Sequence, residues 1–365
     1  MIDSYLFVKF SFVLIMIKLC ILFLTQQSEL TFILLVLCIS FDILITTYSL
    51  KPKIKKIYFF FLVFLIFLFI RLFSGMINFS LMETIMNELG GVLVLYMAAR
   101  VALIKEYNFI SLCKFGFKIN TIAVFIFFIF TITTGAVWTN AHSRLEVGGL
   151  GPGVIASWGL GILLLALFTN KNHLMIVGLV VCFGMAILTE MRTVGVSATM
   201  GVLVYFLLHA RERYGTLKTL LIFIIFIAAI SPLILNFLTF SLMLDDPNRG
   251  VDSGFSGRLL SWTFALSAFF ESPIVGVGVS DYRAAGAYSG YLRIFTKFGI
   301  FIGLIFILLI IISLILSVKQ KQYAIATAIT TFALWFLVVS KDFDFEIMPF
   351  LGFVAIFKGL RKQVN

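Results

Sequence analysis

The sequence predicts an all-α, polytopic membrane protein of about twelve transmembrane helices. Three observations carry that expectation. Apolar residues fill 61% of the 365 positions and charged residues only 12%, against about half and a quarter in a soluble domain. The apolar residues fall in runs of roughly 20, the length of helix that crosses about 30 Å of hydrocarbon. Lysine and arginine collect between alternate runs, as the positive-inside rule requires.

In chain order the spans are read at 6–24, 30–50, 57–77, 84–103, 119–137, 151–168, 173–189, 194–209, 217–237, 290–316, 323–340 and 344–358. An isolated strand would leave its backbone unsatisfied in lipid, so each is read as a helix. The first run has no small-residue cleavage site and is followed at once by a second, so it reads as an anchor. Within it, Lys9 can snorkel to the interface, whereas Lys18 lies nearer the middle and needs a partner. The Phe-rich run 57–70 reads as lipid-facing surface. The last run is short and suits a partly interfacial placement.

Residues 1–365 thus form one membrane domain, with a single large loop at 238–289 and an interfacial helix within it at about 257–271. Cys20, Cys38, Cys113 and Cys182 are scattered, three in apolar runs and Cys113 in a basic loop. None has metal-ligand or redox spacing, so they read as small hydrophobes, and no metal or cofactor is expected.

Orientation follows from the basic residues. Lys51, Lys53, Lys55, Lys56, Arg100, Lys105, Lys114, Lys118, Lys171, Arg211, Arg213, Lys218, Lys319, Lys321, Lys358, Arg361 and Lys362 fall in one alternate set of loops and at the C-terminus. That set is cytoplasmic, both termini are inside, and the large loop between the ninth and tenth spans is outside. The net charge of +11 is therefore a topology signal, and nucleic acid is not an expected partner. The outer loops carry arginine almost exclusively: Arg71, Arg144, Arg192, Arg249, Arg258 and Arg283. Arginine's planar fork suits bidentate grip on phosphate, and a set confined to one face favours a ligand over snorkelling.

Three outer constellations could carry chemistry. Thr139–Gly153 holds His142 and Arg144 in a glycine-rich approach to a helix N-terminus. It is either a phosphate cradle or a tight turn that needs glycine. Glu190 and Arg192 flank a very short turn, where they either pair with each other or serve as base and anion clamp. The third, Asp252–Gly303, contains Arg258, Trp262, Pro273, Gly276, Gly278, Asp281, Arg283, Tyr288 and Tyr291. No nucleotide-binding loop or zinc-ligand set occurs, and no cytoplasmic loop is large enough for a nucleotide donor. Any reaction would draw on a substrate already activated outside.

The ordered set Ser256-Gly257-Arg258, Trp262, Pro273-x-x-Gly276-x-Gly278, Tyr291-Leu292 and Gly299-Ile300-x-x-Gly303 resembles the bacterial O-antigen polymerase and ligase superfamily. Arg144 with Gly148 and Pro152, and Arg192-Thr193, are similar to earlier outer-loop positions of that family. The resemblance covers roughly residues 138–316. It implies metal-independent glycosyl transfer at the bacterial cytoplasmic (inner) membrane, from a glycan on undecaprenyl diphosphate, with no cofactor. Membrane lipid, a chain-length regulator and a flippase of the same pathway are the implied partners. It implies diphosphate or glycan binding by Arg144, Arg192, Arg258, Arg283, Tyr288 and Tyr291. Asp281, Glu190 and His142 are the candidate general bases.

The family's ligases resemble one another in a histidine just before the Tyr-Leu pair, where this chain has Tyr288. A phenol with pKa near 10 is a poor base at neutral pH, so the polymerase reading leads. A ligase that passes the glycan to lipid A core is the nearest rival. A flippase for the same lipid-linked sugars is the rival from another class, but the chain lacks the matching halves expected of a transporter.

Overall fold

The computed structural model describes residues 8–16, 91, 94–134, 138–139, 144–145, 151–189, 191–219, 221, 224, 254–278, 281–285, 287–338 and 347–361. The described chain is helical apart from one minimal hairpin. Helices α1 (8–16) and α2 (94–102) come first. Then follow α3 (Glu106–Thr134), strands β1 (Trp138–Thr139) and β2 (Arg144–Leu145), α4 (Pro152–Phe168), α5 (Asn172–Leu188) and α6 (Arg192–Tyr214). The rest comprises α7 (Gly254–Glu271), the single turn α8 (Tyr282–Ala285), α9 (Gly290–Lys319), α10 (Tyr323–Val338) and α11 (Ile347–Leu360). The strands pair antiparallel, Trp138 opposite Leu145 and Thr139 opposite Arg144. The expected spans at 30–50 and 57–77, and Lys18, lie outside the described residues.

Among the described residues, Glu106–Ile129, Thr193–Tyr214 and Gly290–Lys319 are long and apolar enough to cross a membrane, and α4, α5, α10 and α11 are shorter apolar helices. Their exposed surfaces are themselves apolar, as at Phe125, Val180, Phe301 and Leu308. A water-soluble bundle would set polar residues there. The fold is that of a helical membrane protein.

Helix ends gather into two groups. At one end Lys358 at the close of α11 bonds Glu106 at the start of α3, and Lys321 bonds Glu212 near the end of α6 at 2.8 Å. The Arg361 guanidinium donates to the carbonyls of Ala102 and Ile104. At the opposite end the Trp335 indole N–H of α10 donates to the Ser157 hydroxyl near the start of α4 at 3.1 Å. There too Ile347 at the start of α11 packs on Gly161. The lysine-bearing turns thus meet at one end of the bundle.

Two boundaries differ from the sequence reading. Helix α3 starts at Glu106, so Lys114 and Lys118 ride on a helix and not in a loop. Cys113 is buried on that helix with Leu112, Phe117 and Asn120, while Lys118 is exposed. The lysines had masked a helical period whose buried positions run 109, 112, 113, 116, 117 and 120. The second difference is α11. At 14 residues, about 21 Å, it is short for a span, yet every residue but Phe357 is buried. It sits at the centre, packed by α4, α9 and α10.

Small residues let α4 and α5 cross closely. A Cβ on Gly178 would lie 3.0 Å from the Ala166 methyl, and one on Gly159 would lie 3.1 Å from Met185. Such approach is how apolar helices gain van der Waals contact in lipid. One interior polar pair bridges α3 and α4. The Trp158 indole donates to Asn120 Oδ1 at 2.7 Å, and Asn120 Nδ2 donates to the Gly116 carbonyl at 2.8 Å.

Candidate functional site

Helix α7 organises the region. Residues Leu259–Phe270 carry no charge, and the helix stops where Pro273 cannot continue it. One face, with Ala265 and Ala268 fully buried, packs on the first part of α9. The Thr296 hydroxyl of α9 bonds the Ala265 carbonyl of α7 at 3.2 Å and its own Leu292 carbonyl at 2.7 Å.

The same face holds Tyr288 by its backbone. The Trp262 indole N–H donates to the Tyr288 carbonyl at 3.1 Å, and the Tyr288 amide donates to the Ser261 hydroxyl at 3.1 Å. Ser289 then caps α9 by accepting from the Leu292 amide. Tyr288 is thereby anchored through its backbone while 44% exposed, and the Arg258 guanidinium lies 6.0 Å from its ring centroid. Arg258, Ser261 and Trp262 are one turn apart on α7, which is why their spacing delivers them to one residue.

Beyond α7 the chain locks into a broken helix. Gly299 interrupts α9 at φ 81°, ψ 178°, a conformation open essentially to glycine alone. The break frees backbone groups that a helix would otherwise satisfy. The turn 273–278 takes them up. Val277 N–H donates to Thr296 O at 2.9 Å, Gly278 N–H to Lys297 O at 3.1 Å, and Ile300 N–H to Pro273 O at 2.8 Å. The contact is so close that a Cβ on Gly299 would fall 2.1 Å from Ile274 O, and one on Gly276 (φ 73°) 2.4 Å from Lys297 O. The Phe295 ring covers Gly303, where a Cβ would meet it at 2.6 Å. The two glycine patterns of the sequence are thus the two halves of one backbone interlock.

Arg283 sits at the other end of α7. Its fork meets Glu271 with bonds of 2.5 and 2.7 Å, and it bonds Asp281 through Nε at 3.2 Å and Nη2 at 2.8 Å. The Arg283 amide also donates to Asp281 Oδ1 at 2.8 Å. Hydrogen bonding to Arg283 holds both carboxyls below their ordinary range, which makes Asp281 a weaker proton acceptor. Thirteen residues of helix separate Arg258 from Glu271, about 20 Å of rise. Arg258 and Arg283 are therefore at opposite ends of α7 and do not converge on one small anion.

Tyr291 points into the bundle. Its hydroxyl donates to Ala333 O at 3.1 Å, and its ring packs edge-on against Phe336 at 5.2 Å. Arg144 lies in β2 and Arg192 opens α6. The Met191 methyl packs near Gly153, so α6 and α4 start side by side. His142 and Glu190 lie outside the described residues. The residues that sequence reasoning missed are Glu271, the partner of Arg283, and Ser261. Ser261 was visible only as a polar exception on an apolar helix. No group of three or more metal-ligating side chains occurs among the described residues.

No protein-family model matches this chain, and no curated protein is similar to it. Its class rests on its own geometry, which is that of a helical membrane protein in which the turn 273–278 locks into a broken helix.

Proposed function

We propose that the protein is a surface-polysaccharide polymerase that joins undecaprenyl-diphosphate-linked repeat units on the outer face of the bacterial inner membrane. The observation that carries the reading is the Arg258–Tyr288 pair. Of the family-like residues, Arg258 and Trp262 meet Tyr288 near the start of α7, and Pro273–Gly278 lock onto the Gly299 break beyond its other end. A guanidinium beside an exposed aromatic residue held by its backbone suits a lipid-linked sugar phosphate: the cation for the diphosphate, the ring for a sugar face. As the sugar transfers, charge grows on the departing diphosphate, and a preplaced cation stabilises it most in the transition state. Arg144 and Arg192 complete the clamp in this reading. The acceptor hydroxyl loses its proton to Glu190 or His142, since Asp281 is engaged by Arg283. No metal or cofactor takes part.

The break in α9 favours a second reading, a flippase of the same lipid-linked sugars, because discontinuous helices build transport sites. Here, however, the carbonyls of Thr296 and Lys297 accept from the turn 273–278, so these two are not open to a passing ion. A deletion strain separates the readings on a glycan gel. A single repeat unit on the core marks a polymerase, polymer retained on the carrier lipid marks a ligase, and units trapped on the cytoplasmic face mark a flippase. In a complemented strain, Arg258→Ala abolishes the ladder at unchanged protein level. A full ladder from that variant removes Arg258 from the mechanism.

A further inference from the structure

We infer that α7 and the turn after it are immersed in the acyl chains of one leaflet, so that lipid, and neither water nor another protein, covers their outward face. The inference does not depend on the polysaccharide reading. It begins with what α7 leaves uncovered. Opposite the buried Ala265 and Ala268, the residues Leu259, Leu260, Phe264, Leu266 and Phe270 are all exposed, Phe270 to 71%. They occupy both edges of a wide arc. Between them on the arc stand Thr263 and Ser267, and both hydroxyls turn back on their own helix, to Leu260 O and Phe264 O at 2.8 Å. The arc therefore offers no unsatisfied polar group, which is the condition for a surface facing hydrocarbon.

Continuity fixes what covers it. The exposed Ile274 and Val275 follow in the turn. That turn bonds across the α9 break, with Pro273 O accepting from Ile300 N–H at 2.8 Å. Ile274 is thus next to Ile300 and Phe301, which begin the exposed apolar side of a membrane-crossing helix. From Gly299 to Lys319 is twenty residues, about 30 Å of helix, which is the thickness of the hydrocarbon core. With Lys319 at one boundary, the break and its turn stand at the other. Arg258 at one end of α7 and the Glu271–Arg283 pair at the other keep both ends at headgroup level. The helix then lies in the plane of the membrane.

The test uses the full chain in nanodiscs with its four native cysteines replaced. Phe264→Cys and Phe270→Cys, on the two edges of the arc, and Ile274→Cys each carry an environment-sensitive fluorophore. Phe301→Cys is the lipid reference and Lys171→Cys, exposed in the short polar turn between α4 and α5, the aqueous one. Doxyl-labelled phosphatidylcholine quenches all three sites as it does Phe301, and iodide leaves them at least several-fold less quenched than Lys171. Iodide quenching equal to that of Lys171 at either edge overturns the inference. So does silence to both quenchers, which would mark a protein cover. If labelled variants do not fold, the unaltered chain is photolabelled with a membrane-partitioning carbene reagent. Modification mapped to 259–275 supports immersion, and its confinement to other segments refutes it.

Discussion

Substituting Gly299 by alanine tests the interlock directly. The backbone there, at φ 81° and ψ 178°, costs a non-glycine residue about 1–3 kcal/mol. The added Cβ would also lie 2.1 Å from Ile274 O, so the turn must withdraw. Withdrawal breaks the bonds from Val277, Gly278 and Ile300, at about 0.5–1.5 kcal/mol each. The combined loss is about 3 kcal/mol or more. Gly184→Ala and Gly195→Ala are the controls, because a Cβ at either meets nothing within 4 Å and both are in helices. Alanine there gains roughly 0.5–1 kcal/mol. Thermal unfolding of the purified protein in nanodiscs reads the difference: Gly299→Ala melts well below the parent and the controls at or above it. A Gly299→Ala variant with the parent's melting temperature would refute the interlock as a structural necessity.

Further outcomes follow from the same contacts. Arg258→Lys gives a much shortened glycan ladder at normal protein level, because the planar fork is lost while the charge stays. Trp262→Phe removes the N–H to the Tyr288 carbonyl. It lowers stability by about 0.5–1.5 kcal/mol in thermal unfolding, and it shortens the glycan ladder through the displaced Tyr288. Asn120→Leu strands the buried Trp158 N–H and costs about 1–2 kcal/mol. Adding Trp158→Phe recovers much of that loss in a melting experiment. The Arg283 cluster carries a pH signature. Its two carboxyls bind protons less readily folded than unfolded, so their stabilisation is complete above the ordinary carboxyl values of 4.5 and 3.8. It fades as pH falls through the lowered native values. Arg283→Gln flattens melting temperature against pH in that acid window and leaves the neutral-to-alkaline limb unchanged in slope.

The sequence by itself determined the class of the protein. Uninterrupted apolar runs have only one way to satisfy their backbone in lipid, so 151–168, 173–189 and 323–340 were legible to within two residues of α4, α5 and α10. Helix α7 was legible from Pro273 and the charge-free run before it. Where lysines interrupted the pattern, as at Lys114 and Lys118, the helix was hidden, because a charge on a helix face and a charge in a loop look alike in one dimension. Partnership was the part that only tertiary structure decided. Asp252–Gly303 contained Arg258 and Arg283 as two similar arginines, but folding places one beside Tyr288 and commits the other to Glu271 and Asp281. It also turned Pro273–Gly278 and Gly299–Gly303 from two glycine patterns into one joint. A backbone hydrogen bond such as Val277 to Thr296 or Ile300 to Pro273 leaves no trace in composition or period, since what it needs from the side chains is their absence.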